Sequence, residues 1–324
     1  MINWAEAAEA VRAAQRILVV SHIAPDGDAI GSLMGVTNAL RHMGKNVDAV
    51  MDDGVPDYLT FVPGSETVLR TVPENAEYDL FISVDSSDEE RTGNAGIYGR
   101  SHSRTVMNLD HHATNTGFGD IHLVVPTAVS ATEVAFDWFN NTGIEITREV
   151  AIALLTGLVT DTIGFRTQGV SARTLEIAQA LIQRGASLTE ITARTLDTKP
   201  YSAITLWKRA LQTVTLEDGV IYATITHDDY QQTGVDDDSG LVSFLVRVNE
   251  ALVAAVFREA EPNVIDLSFR AKAGFDVAVT ARQLGGGGHT LASGARVEGT
   301  LEDVRAHVLA LLRETVAQGS LVIA

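Results

Sequence analysis

Two rhythms alternate over the first 130 residues. Short, almost wholly apolar runs read as buried strands: RILVVSH (16–22), NVDAVMD (46–52), YDLFISVD (78–85), RTVMNLD (104–110) and IHLVV (121–125). Between the first two lies DAIGSLMGVTNALRHMG (28–44), where Ile30, Leu33, Met34, Leu40 and Met43 fall on or near one helical face and Gly44 supplies a stop. Strand and helix in alternation predict an α/β fold, doubly wound around a mostly parallel sheet. In such sheets ligands bind beyond the carboxyl ends of the strands. Helical patterns continue over 130–143, 148–161 and 171–186, the second delivering Asp161 at its C-terminal end.

A polar stretch containing Pro200 then marks a junction. The reading places a catalytic domain at 1–187, a linker at 188–210 and a second domain at 211–324. The second domain has a different pattern. Residues 211–230 alternate on both sides of Glu217-Asp218-Gly219, a hairpin signal. A helix near 239–249, strands at 251–259 and 264–272, and a helix at 276–284 lead into Gly285–Gly288 and His289. These predict a smaller mixed α/β domain.

Length and composition narrow the class. At 324 residues, 45% of them hydrophobic, the chain can bury a sizeable core in two domains. It carries 24 Lys+Arg against 42 Asp+Glu, a net charge of −18, which opposes sequence-independent binding to long duplex nucleic acid. Nucleotides at a cation site are still compatible, because bound cations reverse the local field. With no cysteine, thiolate metal sites and disulfides are excluded. The N-terminal segment lacks the basic-then-apolar order of a signal peptide, and no apolar run approaches the ~18 residues of a membrane span. The expectation is a cytoplasmic protein with no membrane contact.

Chemistry concentrates where the predicted strands end. SHIAPDGDAIGS (21–32), ISVDSS (82–87), LDHH (109–112) and TDT (160–162) offer His22, Asp26, Asp28, Asp85, Asp110, His111, His112 and Asp161. Each segment alone is common in solvated turns or caps. Eight such groups on one edge of a sheet are not, since clustered buried carboxylates repel unless a cation sits among them. A mixed carboxylate and imidazole set suits two divalent cations, with Mn²⁺ favoured and Mg²⁺ or Co²⁺ as alternatives.

These four segments resemble, in order, the motifs of the DHH phosphoesterase family. SFRAK (268–272) and GGGGHTLASG (285–294) resemble its DHHA1-type C-terminal domain. Length and both motif sets are most similar to the oligoribonuclease/nucleotide-phosphatase branch, the NrnA-like nanoRNases. The resemblance implies His22, Asp26 and Asp85 around one metal, and Asp28, Asp85, His111 and Asp161 around the other. Asp110 would orient an imidazole, and His112 would face the scissile phosphate. In the second domain Arg270, Gly286, Gly287, Gly288 and His289 would bind substrate, with Arg166, near Asp161, a further phosphate candidate. TDTIGF departs from the pattern, with Ile163 where relatives often carry glycine.

The implied reaction is hydrolysis of short RNA oligonucleotides to mononucleotides, and of 3′-phosphoadenosine 5′-phosphate to AMP. A cleft between two domains would favour short substrates, and the family leads one to expect a homodimer. A cyclic-dinucleotide phosphodiesterase and a catalytically silent nucleotide sensor are the alternatives. Intact ligands at every motif argue against the sensor.

Overall fold

The structure is a computed structural model that describes residues 2–167, 169–235 and 238–320. The chain divides into two compact units, residues 1–198 and 199–324. Unit 1 is built on strands β1 (Arg16–Val20), β2 (Asn46–Val50), β3 (Tyr78–Val84), β4 (Ser103–Asp110) and β5 (Ile121–Val124). They form one sheet in the order β2-β1-β3-β4-β5, every pairing parallel. Its helices are α1 (Trp4–Ala13), α2 (Gly27–His42), α3 (Gly93–Ser101), α4 (Ala131–Thr142), α5 (Arg148–Asp161), α6 (Ala172–Gln183) and α7 (Leu188–Thr195).

Side chains of consecutive strand residues enter opposite cores. Ile17, Val19, Leu80, Ile82 and Val84 join the large core that includes α2, α4 and α5, whereas Leu18, Val20 and Phe81 meet Ala95 of α3. Burial on both faces explains the continuous apolar runs. β1 and β3 are neighbours from which the strand order runs in opposite directions, so the loops after them diverge and leave a crevice at the switch point.

Packing of α2 on α5 sets the site's geometry. Gly27, Gly31 and Gly35 recur every four residues on α2 and face Thr160, Ala153 with Gly157, and Leu154 of α5 respectively. A Cβ at Gly31 would stand 2.7 Å from both the Ala153 carbonyl oxygen and the Gly157 nitrogen. This glycine stripe lets two antiparallel helices pack at backbone contact. It brings the C-terminal end of α5, with Asp161, beside the N-terminal end of α2, with Asp26 and Asp28.

The segment 188–210, expected to be a linker, is mostly helical. Its first part is α7; its last is α8 (Tyr201–Ala210), and the division between units falls between Thr198 and Lys199. The polar residues that suggested a linker are the exposed faces of amphipathic helices, since Ala203, Leu206 and Ala210 of α8 are buried.

Unit 2 contains a mixed six-stranded sheet, β6 (Thr215–Glu217), β7 (Val220–Ile225), β8 (Val253–Glu261), β9 (Val264–Ala271), β10 (Gly287–His289) and β11 (Ala292–Glu298). The order is β10-β11-β9-β8-β7-β6, with only β7 and β8 parallel. The expected hairpin is present but short. Asp218 and Gly219 both take positive φ, 51° and 79°, as a two-residue turn matched to strand twist requires. Helices α8, α9 (His227–Thr233) and α10 (Leu241–Leu245) contribute to one core, and α11 (Val277–Gln283) and α12 (Leu301–Gln318) to the other. No described helix is long and apolar enough to cross a membrane.

Candidate metal centre

The strand ends deliver the expected side chains to one place. His22 follows β1, Asp85 follows β3, and Asp110 closes β4 with His111 and His112 behind it. Asp26 caps α2, its Oδ1 accepting from the N–H groups of Asp28 and Ala29 at 3.0 and 3.1 Å. Ligand atoms of His22, Asp26 and Asp85 lie within 4.8 Å of one another, as do those of Asp28, His111 and Asp161, and those of Asp85, Asp110, His111 and His112.

The separations are those of groups meant to share something. His22 Nε2 is 3.5 Å from Asp85 Oδ2 and 3.9 Å from Asp26 Oδ1. His111 Nε2 is 3.6 Å from Asp85 Oδ1, 3.5 Å from Asp161 Oδ2 and 3.9 Å from Asp28 Oδ2. Hydrogen bonds are shorter, whereas two ligands ~2.1 Å from one ion stand roughly 3.0–3.6 Å apart. His22 Nδ1 is 2.8 Å from the Ile23 carbonyl. With the proton there, the Nε2 lone pair is free to ligate.

Electrostatics point the same way. Burial, then the charges of Asp28, Asp26, Asp161 and Asp110, push the Asp85 carboxyl well above its usual range. Burial raises Asp28 as well, and burial with the charges of Asp28 and Asp26 raises Asp161 to about 8. Asp85 is 3% exposed, its Oδ1 has no hydrogen-bond partner among the described residues, and it adopts a left-handed φ of 56°. A buried, unsatisfied carboxylate oxygen among other acids is costly on its own and fits a divalent cation. The donor set therefore fits divalent cations, with Asp85 and His111 each belonging to two of the three groups.

Supporting residues escaped the sequence reading. Asp28 accepts from the N–H groups of Ala131 and Thr132, at 2.5 and 3.1 Å, so the positive N-terminal end of α4 holds this buried carboxylate. Gly157 makes room for it, since a Cβ there would stand 2.5 Å from Asp28 Oδ1. Asp53 accepts from the Ala24 N–H at 2.6 Å and braces the loop between His22 and Asp26. Arg91 approaches His22 from the loop after β3. Nothing local marks these contacts, which come from remote segments. Asn115 was closer to legible, standing three residues past the His pair.

Asp110 and His112 form a separate dyad. His112 Nδ1 donates to Asp110 Oδ1 at 2.8 Å, and Asn115 Nδ2 donates to Asp110 Oδ2 at 2.6 Å. Burial alone would raise Asp110, but these hydrogen bonds outweigh it and hold the carboxyl below its usual range. The same bond raises the His112 pKa. The His112 side chain, 37% exposed, keeps Nε2 available. A recess of about 220 Å³ opens beside Asp26 and Asp161, with Tyr58 on its wall.

The remaining expected residues are placed differently. Arg166 Nε donates to the Ile163 carbonyl at 2.6 Å, within its own loop. Ile163, Gly164 and Phe165 all have positive φ, at 49°, 69° and 63°. In unit 2, Gly287 and His289 lie on β10 rather than in a loop. Gly286 and Gly288 are required by close strand approach, because a Cβ would stand 2.1 Å from the Gly294 carbonyl oxygen and 2.7 Å from that of Ala292. Gly287 has open space, and His289 is exposed. Burial lowers the Arg270 pKa while the Asp238 charge raises it. Asp238 therefore belongs to this neighbourhood.

Fold and donors together define an α/β protein with a carboxylate–imidazole centre for divalent cations. Residues 16–158 match the DHH family, N-terminal domain, and residues 217–318 match the DHHA1 domain. The chain belongs to the DHH family. It is 33% identical to the bifunctional oligoribonuclease and PAP phosphatase NrnA of Thermus thermophilus, over 92% of this chain and 89% of that one. Among solved structures, an exopolyphosphatase-related protein from Bacteroides fragilis superposes with a TM-score of 0.88 at 24% identity, covering 97% of each chain. RecJ from Thermus thermophilus in complex with Mn²⁺ superposes at 0.54 and 16% identity, over 97% of this chain and 54% of that one.

Proposed function

We propose that this protein is a Mn²⁺-dependent phosphoesterase that hydrolyses short oligoribonucleotides to mononucleotides and 3′-phosphoadenosine 5′-phosphate to AMP. The observation that carries the reading is Asp85, a buried carboxylate with an unpartnered oxygen, shared between two groups of ligands. His22, Asp26 and Asp85 would hold one cation; Asp28, Asp85, His111 and Asp161 would hold the other. When bound, the cations supply Lewis-acid chemistry, lowering the pKa of an attacking water and offsetting charge on the phosphate oxygens. The α4 N-terminus keeps Asp28 aimed, and Asp53 keeps the His22–Asp26 loop in place. His112, oriented by Asp110 and holding its proton more firmly than a free imidazole, donates from Nε2 to the leaving oxygen.

Arg270 and His289 of unit 2, with Gly286–Gly288 shaping the adjacent strand, bind the nucleotide portion; Arg guanidinium suits phosphate contacts. Arg166 reaches phosphate only by giving up its bond to Ile163. The support for RNA and PAP as substrates is the 33% identity to an enzyme named for both activities.

The test is chromatographic. Purified protein with Mn²⁺ is offered, in parallel, an RNA dinucleotide, a long RNA, 3′-phosphoadenosine 5′-phosphate, a cyclic dinucleotide and pyrophosphate. Rapid mononucleotide release from the dinucleotide, with little attack on long RNA and loss of turnover in Asp85→Asn, is expected. Wild-type rates in the Asp85→Asn variant would refute the metal assignment, and preference for the cyclic dinucleotide would move the substrate.

A further inference from the structure

We infer that Arg91, beside the metal cluster, is a phosphate-gripping residue of the catalytic unit, an inference that rests on the two-metal reading above. Its backbone is fixed from two sides. The Arg91 N–H donates to Asp88 Oδ1 at 2.9 Å, and its carbonyl accepts from the Ile23 N–H at 2.8 Å. Arg91 therefore sits locked against the loop that carries His22 and Asp26.

The head group is not settled in the same way. Its Nη2 lies 2.9 Å from His22 Nδ1, the atom that is also 2.8 Å from the Ile23 carbonyl. Nδ1 cannot serve both. If it accepts from Arg91, the imidazole proton moves to Nε2 and blocks the nitrogen that faces Asp85 and Asp26. If it donates to Ile23, Nε2 can ligate, and the guanidinium then faces an N–H with nothing to receive its own protons. The tautomer that suits metal binding thus leaves Arg91 without an acceptor.

No other group within the site takes up that role. Among the described residues no carboxylate oxygen lies within 4.0 Å of the Arg91 guanidinium, although the cluster beside it is rich in acids. An exposed guanidinium on a fixed backbone, with no carboxylate partner and next to a cation site, is complementary to an anion that those cations also attract. Phosphate oxygens answer both the cations and the guanidinium, whose planar head can meet two of them at once. In the absence of substrate the guanidinium leans on His22; with metal and nucleotide present it turns to the phosphate.

A structural role and a binding role predict opposite results with metal. Were Arg91 only a brace for His22, its loss would weaken metal binding. As a phosphate grip it contributes a positive charge that opposes the cations, so its loss leaves metal affinity unchanged or tighter. The experiment uses full-length protein and calorimetry: Mn²⁺ is titrated into wild type, Arg91→Ala and Arg91→Lys, and AMP is then titrated into each Mn²⁺-loaded protein. Arg91→Ala should bind Mn²⁺ at least as tightly as wild type and AMP about 10–100-fold more weakly, the scale of lost charge-assisted hydrogen bonds. Arg91→Lys should recover part of that loss. Unchanged AMP binding by Arg91→Ala, or weakened Mn²⁺ binding, would overturn the inference while leaving the two-metal reading in place. Wild-type protein that bound neither Mn²⁺ nor AMP would overturn both.

Discussion

Gly31→Ala tests whether the glycine stripe on α2 builds the metal centre. The added methyl carbon would lie 2.7 Å from the Ala153 carbonyl oxygen, 2.7 Å from the Gly157 nitrogen and 2.9 Å from the Gly157 Cα. Ordinary contact needs ~3.5–4.0 Å, and backbone atoms cannot rotate away, so the two helices must separate by close to 1 Å. Overpacking costs about 1–3 kcal/mol, and this clash belongs at the upper end. Alanine recovers about 1 kcal/mol of helix propensity, leaving a net loss of about 2 kcal/mol. For a unit of this size that lowers Tm by roughly 4–8 °C. The site should suffer more than the fold. His111 Nε2 and Asp161 Oδ2 are 3.5 Å apart, and Asp161 ends the helix that would be displaced. A misplacement near 1 Å can cost roughly 10²-fold, so weakening of the second Mn²⁺ site by about tenfold or more is expected in calorimetry. Gly35→Ala is the contrast, because its new methyl meets the mobile end of Leu154 at 2.6 Å and no backbone. It should be close to wild type in both measurements. A Gly31→Ala protein that melts within about 1 °C of wild type and binds two Mn²⁺ normally would refute the reasoning.

Two further predictions concern charge and strain. Asp28, Asp85 and Asp161 hold protons more firmly in the folded, metal-free protein than in the unfolded chain. Their contribution is fully present below the unfolded carboxyl range near ~4 and is lost as pH rises through the folded values, about 8 for Asp161. The Tm of metal-free protein should therefore fall between pH 5 and pH 8.5 (roughly the span of those two values) and regain height with Mn²⁺; a flat metal-free profile would show that these acids do not carry the load. Ile163→Gly should stabilise the protein by about 1 kcal/mol, since a β-branched residue at φ 49° costs more than the entropy glycine adds and the side chain is 49% exposed. A lowered Tm in that variant would mean that Ile163 makes packing contacts worth more than its backbone strain.

Much of this protein was legible along the chain, and the reasons are local. Buried parallel strands must be apolar on both faces, so β1 to β5 announced themselves as runs, and their polar ends announced the site. The eight acidic and imidazole residues that the structure brings together were therefore singled out before any coordinates, as was the hairpin at Asp218-Gly219. Other elements carried no such signal. α3 contains Gly93, Gly96 and Gly99 and has little helical propensity of its own. It is held by Asp52 from the end of β2, which accepts from the Asn94 and Ala95 N–H groups, and Gly99 lets it settle onto Phe81 and Leu18. The polar stretch near Pro200 read as linker because amphipathic helices show their polar faces as plainly as loops do.

The amino-acid sequence by itself determined which side chains could bind cations and that strand ends would display them. Only the tertiary structure decided which of them stand within reach of one another, because that depends on contacts between segments far apart in the chain. The glycine faces of α2 and α5 bring Asp161 to Asp28, and the N-terminus of α4 holds Asp28 in a buried setting. Asp85 stands in two of the close groups because parallel strand order sets the end of β3 between those of β1 and β4, not because of its neighbours in sequence.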